Sequence, residues 1–542
     1  MLDIANMENP DQTHPSGSSP PASLLNTYID LACSQSKTVQ RTLGQYGSQS
    51  LRTFLEDLSY KTGESYQPRE ALLEAVRDYV TPLLGEAVAD QTVSDLAASP
   101  MVMTANHHGV DYFAQSVQGT LIFSLKNRVN GHKAQTVPIF SCGNIPLNNM
   151  TYPRGMLVYK VNPAFLDKMP MKVPIFSEKQ KRKMVSVVPG MDAPMIQRAH
   201  QRIQNLIKKK QIDPGLENTL QAILKLDYNA ESTLNLPDYS RQAVVINNRL
   251  WKRLFADPAS APDLVYLELE KIIGLVLEQD LSDPTSLAWL VMFTPRIRTH
   301  LLKQLDGAKA CWDTRMLMDR LAQAGDLPPA AKNTNGCGTC FFWGLDNAGK
   351  RIPLYLEETE NGAAVLRGID DKGRPLCLTF HPEKVTEELM AGRLLPSLFT
   401  CYLVLALARG ITSVGGYYQA EYLPVIQKGV VEALNQDPAW EKCAHTVSKV
   451  PTDVYLSGMQ TVMTELSSKG LIPAGVAEII NAGGLTEQDL IQIIQLSVYD
   501  AHLASLFDTM PDIAPWHMKN AGWKYQLAAE CDIELRDKVV VK

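Results

Sequence analysis

Residues 101–112, MVMTANHHGVDY, decide how the chain is read. Met101, Val102 and Met103 form a short apolar run that enters a polar turn, Thr104-Ala105-Asn106-His107-His108-Gly109. Beyond it, Phe113, Val117, Leu121, Ile122 and Leu125 recur near helical spacing. Val137-Pro138-Ile139-Phe140 is then strand-like and ends in a second polar tip, Ser141-Cys142-Gly143-Asn144. The pattern is strand, turn, helix, strand, with polar groups gathered where the strands end. In an open parallel sheet ligands bind at the carboxyl ends of the strands, and a helix start there offers unpaired N–H groups to an anion. The expected fold class is therefore α/β, with a Rossmann-like parallel sheet as its core.

Working outward, residues 1–22 hold clustered Pro and Ser among polar neighbours and suit a disordered leader. Residues 23–190 carry N-terminal helices and the first half of the core, with Gly155-Met156-Leu157-Val158-Tyr159 as a further strand-like run. The cluster Lys179, Lys181, Arg182, Lys183 fits a solvated charge run better than a phosphate clamp. Residues 191–335 look like a large helical insertion, with Leu264 to Leu277 supplying one of its apolar faces. Residues 336–430 hold a small antiparallel meander and the second half of the core. Its three strand-like runs, 352–356, 364–366 and 376–380, are separated by Asn361-Gly362 and Asp370-Asp371-Lys372-Gly373. The region 431–542 is again mostly helical.

A second informative stretch lies at 395–423, LPSLFTCYLVLALARGITSVGGYYQAEYL. An apolar helix-like segment ends at Arg409-Gly410, a short strand follows, and Gly415-Gly416 leads into a new helix. Paired glycines at a strand-to-helix turn let backbone approach a ligand closely. The apolar run Leu394 to Ala408 is shorter than the roughly 20 residues of a membrane span, and reads as buried core.

Composition narrows the function classes. A net charge of -6 over 542 residues argues against a nucleic-acid binder that works through overall positive charge. Nine scattered cysteines suggest reduced thiols in a cytoplasm, and no basic-then-apolar secretory signal opens the chain. Phosphate-loop, dinucleotide-turn and H-E-x-x-H motifs are missing from the sequence. Cys337-Gly338-Thr339-Cys340 lacks a second C-x-x-C, so free thiols are expected and no metal site is assigned.

The candidate catalytic residues are His107, His108 and Asp111. Imidazoles beside a helix start can act as acid or base near neutral pH, or stabilise developing charge. Candidate substrate-binding residues are Thr104, Asn106 and Gly109 at the first turn, and Asn144, Asn148 and Asn149 after the second strand. Gly415, Gly416, Gln419, Glu421 and Tyr422 would form the opposite wall. His107 and Asp111 also match the H-x-x-x-D spacing of acyltransferases in which the histidine is the base and the aspartate is structural, with Tyr112 where those enzymes carry glycine.

Taken together these stretches resemble the cysteine-adding enzyme family of bacillithiol biosynthesis. That family has a Rossmann-like core related to nucleotidyltransferases and a T-G-Q-Q-x-G turn at its first strand end, where this chain has 104–109, TANHHG. Its next strand begins V-P-x-F, which Val137-Pro138-Ile139-Phe140 matches. Its G-G-x-x-E-x-x-Y-like helix start is similar to 415–422, GGYYQAEY, with the acidic residue displaced by two. The resemblance implies a cytoplasmic ligase-like or transferase-like biosynthetic enzyme that condenses an amino acid or small acid with an amine. It leaves open whether ATP or another nucleotide assists and whether the chain forms a homodimer. The alternatives are an acyltransferase of the H-x-x-x-D type, or a non-catalytic binding protein on the same fold. In each case the expected partner is a small molecule, not nucleic acid or membrane.

Overall fold

The computed structural model describes residues 23–131, 134–322, 337–358, 363–466 and 470–542. The expected leader, 1–22, and the Asn361-Gly362 turn lie outside the described residues.

The core is a five-stranded, wholly parallel sheet made of β1 (Met101–Met103), β2 (Thr136–Ser141), β3 (Asp263–Glu268), β4 (Thr412–Gly416) and β5 (Tyr455–Ser457). In space the order is β5-β4-β1-β2-β3. Its longest pairing runs from Thr136↔Asp263 to Ser141↔Glu268, and β1 meets β4 from Met101↔Thr412 to Met103↔Val414. Connections from β1 run toward β2 and β3 on one side, while β4 and β5 lie on the other. That reversal beside β1 opens a crevice at the carboxyl ends of β1 and β4. The turns after these two strands, so distant in sequence, are neighbours because the strands are.

Helices cover both faces of the sheet. They include α1 (Ala114–Val129), α2 (Tyr239–Arg253), α3 (Leu269–Asp280), α4 (Tyr417–Leu434) and α5 (Val498–Ile513). The Rossmann-like α/β class expected from the sequence is the class observed, with two corrections of extent. The described part of 191–335, residues 191–322, is mostly helical, yet it also supplies β3, an edge strand of the core. Leu264-Val265-Tyr266-Leu267 is apolar on both faces because both faces are buried, and such a run has no alternation to mark it as a strand. The meander has five strands rather than three, in the order 394–396, 342–345, 351–358, 364–369, 375–379. Gly155–Val158 is a strand, but it pairs antiparallel with Met171–Pro174 outside the core sheet.

The apolar run at 394–408 is buried core, as expected: Leu394–Pro396 joins the antiparallel sheet and Phe399 to Ala408 are buried. Among the described residues no helix is long and apolar enough to cross a membrane. Arg409, 1% exposed, closes this run with a two-pronged ion pair to Asp280 at the end of α3. Its Nη1 and Nη2 lie 3.0 and 2.8 Å from the Asp280 carboxylate oxygens, and Nη1 also donates to the Val404 carbonyl. Removing one partner of such a pair leaves an uncompensated buried charge, which costs about 3–5 kcal/mol. Asp280→Ala is therefore expected to lower the unfolding free energy by about that amount, read as a lower midpoint in urea. A variant with wild-type stability would show that Arg409 finds water or another partner.

Candidate functional site

The site grows from the turn that follows β1. The Thr104 N–H still donates to the Val414 carbonyl of β4 at 2.8 Å. The chain then pairs with the turn after β2: Cys142 N donates to the Asn106 carbonyl and His108 N to the Cys142 carbonyl, with His107 and Cys142 bridged in parallel. Gly109 sits at φ +123°, and a Cβ there would come 2.6 Å from Pro153 Cβ. Close packing, not contact with a ligand, accounts for this glycine.

Strand-like alternation continues through the turn and separates its polar side chains. Asn106 points inward, with its Nδ2 donating to Tyr266 Oη at 2.8 Å, to Thr120 Oγ1 at 3.0 Å and to Asp111 at 3.2 Å. His107 is half-buried and faces the crevice, with Nδ1 3.3 Å from Thr151 Oγ1. His108 is fully buried between Ser141 Oγ (2.7 Å from Nδ1) and Ser240 Oγ (2.9 Å from Nε2), and that serine in turn bonds Glu268. His108, expected to be catalytic, lies with its ring sealed inside the molecule and does not line the crevice. Asp111 does not touch His107. Its carboxylate accepts from Ser116, the Phe113 N–H, Tyr266 and Asn106, and so holds the start of α1. Asp111 and Asn106, expected at the site, are buried in the framework behind the turn and do not line the crevice.

Around the crevice lies a cavity of about 710 Å³. The first two turns contribute Thr104, Ala105, His107, Cys142 and Asn144; the β4 side contributes Gly416, Gln419 and Tyr422. The twin-histidine and twin-glycine turns therefore share one cavity. Gln419 joins them: its Nε2 lies 2.7 Å from Thr104 Oγ1, and its Oε1 accepts from Tyr402 Oη at 2.7 Å. Gly415 makes room for this glutamine, whose Cδ would be 2.3 Å from a Cβ at that position. It does not itself line the cavity. Glu421 points away and accepts from Ser36 Oγ and Thr38 N at 2.8 Å, capping the helix Lys37–Tyr46. Asn148 is exposed, whereas Asn149 accepts from Thr151 and its side chain also lies within hydrogen-bonding reach of the His107 ring. Of the residues singled out from sequence, the cavity brings together Thr104, His107, Asn144, Gly416, Gln419 and Tyr422.

Several lining residues had no strong sequence signal. Glu270, second in α3, accepts from Gly143 N, Asn144 N and Cys142 Sγ at 2.7, 3.0 and 3.0 Å. It would have stood out had 263–268 been recognised as a strand, because a carboxylate just past a strand end is a site position. Tyr402 is hidden in the apolar run, Arg351 and Trp343 come from the antiparallel sheet, and Asp508 comes from α5. Cys311, Gly338 and Thr339 also border the cavity. Among the described residues no group of three or more His, Cys, Asp or Glu is placed to hold a metal ion.

Burial sets the charge states. It lowers the His107 pKa to about 4, so the ring is neutral near pH 7. The Cys142 thiol is pushed well up by burial and by Glu270, and stays protonated. Burial also raises Glu270, against the N–H and S–H bonds it accepts. Asp508 is raised to about 7 by burial, opposed by its hydrogen bond from Gln460 and by Lys524. No protein-family model, curated protein or solved structure matches the chain. The likeness to the cysteine-adding family thus rests on the sequence stretches themselves.

The Asp508 carboxyl links stability to pH in a defined direction. An unfolded aspartate loses its proton near pH ~3.9, whereas the folded one holds it to about 7. Between those values the folded state binds more protons, so this group's contribution to stability falls as pH rises through the window. Asp508→Asn can still accept from Gln460 and removes the penalty. The variant is expected to melt above wild type at pH 8 and level with it at pH 4. Equal melting temperatures at both pH values would mean that the folded carboxyl ionises as readily as a free one.

Proposed function

We propose that the chain is a C–N bond-forming biosynthetic enzyme, ligase-like or transferase-like, which condenses an amino acid or small acid with an amine in this cavity. The observation that carries the reading is His107: a neutral imidazole on the cavity wall, at a strand end beside the topological reversal of a parallel sheet. Thr151 lies at Nδ1, and the Asn149 side chain is also within hydrogen-bonding reach of the ring. The ring nitrogen that carries no proton is the proton acceptor in the reading.

The amine nitrogen attacks the carbonyl carbon of an activated acid and the C–N bond forms. The leaving group, a phosphate or nucleotide drawn from a nucleotide co-substrate, departs with its electron pair. His107 takes the proton that the nitrogen sheds. Tyr402, Gln419 and Thr104 form a hydrogen-bonded polar wall that can orient the reactants, with Tyr422 beside them. Gly416 leaves backbone open to the cavity, since a Cβ there would meet nothing closer than 3.6 Å. The resemblance to the bacillithiol family supports the reaction class, and the size of the cavity is that of small-molecule sites.

Ligand stabilisation follows mass action, about 2.7 kcal/mol at a hundredfold excess over Kd. A thermal-shift panel of nucleotides, amino acids, small acids and acyl-CoAs is expected to show a nucleotide and an amino acid or acid raising the melting temperature. His107→Ala should then lower kcat about 10²–10⁴-fold without changing the melting temperature, and the wild-type rate should fall as pH drops toward 4. Stabilisation by acyl-CoA instead of ATP would move the reading to acyl transfer. Unchanged turnover in His107→Ala would remove the histidine from the chemistry.

A further inference from the structure

Beside the turn after β2, the cavity wall carries a cation that no described carboxylate pairs with. Arg351 enters from the antiparallel sheet, at the start of the strand Arg351–Glu358. Its guanidinium lies 4.4 Å above the centre of the Trp343 ring, and its Nη1 donates to the Asn144 carbonyl at 3.1 Å. Among the described residues no carboxylate comes within ion-pairing distance of it. Glu270, the acid of the same wall, has its oxygens engaged by Gly143, Asn144 and Cys142. The remaining N–H groups of the fork are therefore unspent.

A second unspent group stands beside it. Asn144 is 5% exposed and lines the cavity, and its carboxamide makes no hydrogen bond to any described residue, with Oδ1 buried and unpartnered. A buried amide without a partner is costly unless something completes it. The backbone of the same residue is already committed, its N–H to Glu270 and its carbonyl to Arg351. The donor end of the side chain, Nδ2, makes no hydrogen bond to a described residue and is left for an accepting ligand, since Oδ1 can only accept.

We propose that Arg351 and Asn144 form a carboxylate subsite, in which the guanidinium fork grips a substrate's carboxylate, the Asn144 Nδ2 donates a further hydrogen bond to it, and Trp343 holds the fork flat. The assignment rests on the reading of this cavity as a condensation site. A planar fork matches the two oxygens of a carboxylate. One stacked guanidinium matches the single charge of a monoanion, whereas a phosphate dianion would exceed it. Lys309, the other cation bordering the cavity, is exposed and sits over Tyr418 at 5.4 Å. The antiparallel sheet thereby acquires a task, which is to carry the specificity group into the cavity that His107 lines.

The test is ligand-observed NMR titration of the full chain with propionate, propylamine and inorganic phosphate. Propionate is expected to bind, and propylamine is not. Arg351→Gln should weaken propionate at least tenfold, Arg351→Lys by less, and Asn144→Ala by a smaller factor still, each with its melting temperature measured alongside to confirm folding. Propionate affinity unchanged in a folded Arg351→Gln, no propionate binding to wild type, or phosphate bound through Arg351 more tightly than propionate would each overturn the subsite. The two readings fail separately. Loss of propionate binding in Arg351→Gln, with no condensation by wild type, keeps the subsite and removes the reaction. Condensation with KM for the acid unaltered in Arg351→Gln keeps the reaction and removes the subsite.

Discussion

A buried carboxylate holds the site together. Asp111 accepts hydrogen bonds from Ser116 and the Phe113 N–H at the start of α1, from Tyr266 of β3 and from Asn106 of the turn. A carboxyl group out of water is tolerated only when its lone pairs are met in this way. Satisfying them fixes the turn after β1 relative to both α1 and β3. Once Asn106 is drawn inward, period-two alternation puts His107 outward and His108 inward again. The orientation of the one cavity-facing imidazole is thus set by an acid that never touches it.

Sheet order does the rest of the positioning. Placing β4 beside β1 brings 104–107 and 416–422 to one crevice, and Gln419 spans them with bonds to Thr104 and Tyr402. Below the crevice, the Arg409–Asp280 pair ties the turn that leads into β4 to the end of α3. The first turn of α3 supplies Glu270, whose carboxylate organises the turn after β2. The framework ties and the lining residues are therefore carried on the same elements. A change at Asp280 is felt by the scaffold long before it is felt in the cavity.

The strand–turn–helix–strand pattern at 101–141 and the glycine turn at 415–416 were legible because each joins a short apolar run to residues with strong turn preferences. Their meeting in one cavity followed from the rule for parallel sheets. β3 was not legible, because 264–267 is apolar on both faces and sits among amphipathic helices, where period alone cannot separate strand from helix. That omission concealed Glu270. The division of labour between His107 and His108 was invisible for a different reason: it depends on Asp111, Asn106 and Tyr266, which lie far apart in the chain. Glu421 shows the same limit. A glutamate five residues past a strand end looks like a site group, yet the start of the helix at 37–46, with its cap Ser36, supplies two donors that claim it. Arg351 belongs to a surface meander by sequence and to the cavity only by folding.

The charge balance of the cavity gives these placements a direction. Burial keeps His107 uncharged, keeps Cys142 as a thiol and moves Asp508 toward neutrality at physiological pH. Glu270 is driven the same way, and what negative charge it retains is spread over three donors. Arg351 behaves differently: burial lowers its pKa, but a guanidinium remains charged under all ordinary conditions. A site in which burial presses His107, Cys142, Glu270 and Asp508 toward neutrality, while the stacked guanidinium stays ionised, has a persistent positive pole. Such a cavity attracts an anion to the guanidinium and tolerates a neutral nucleophile beside it. That is the electrostatic requirement for joining an acid to a deprotonated amine, because an amine that stayed protonated would be repelled by the same pole.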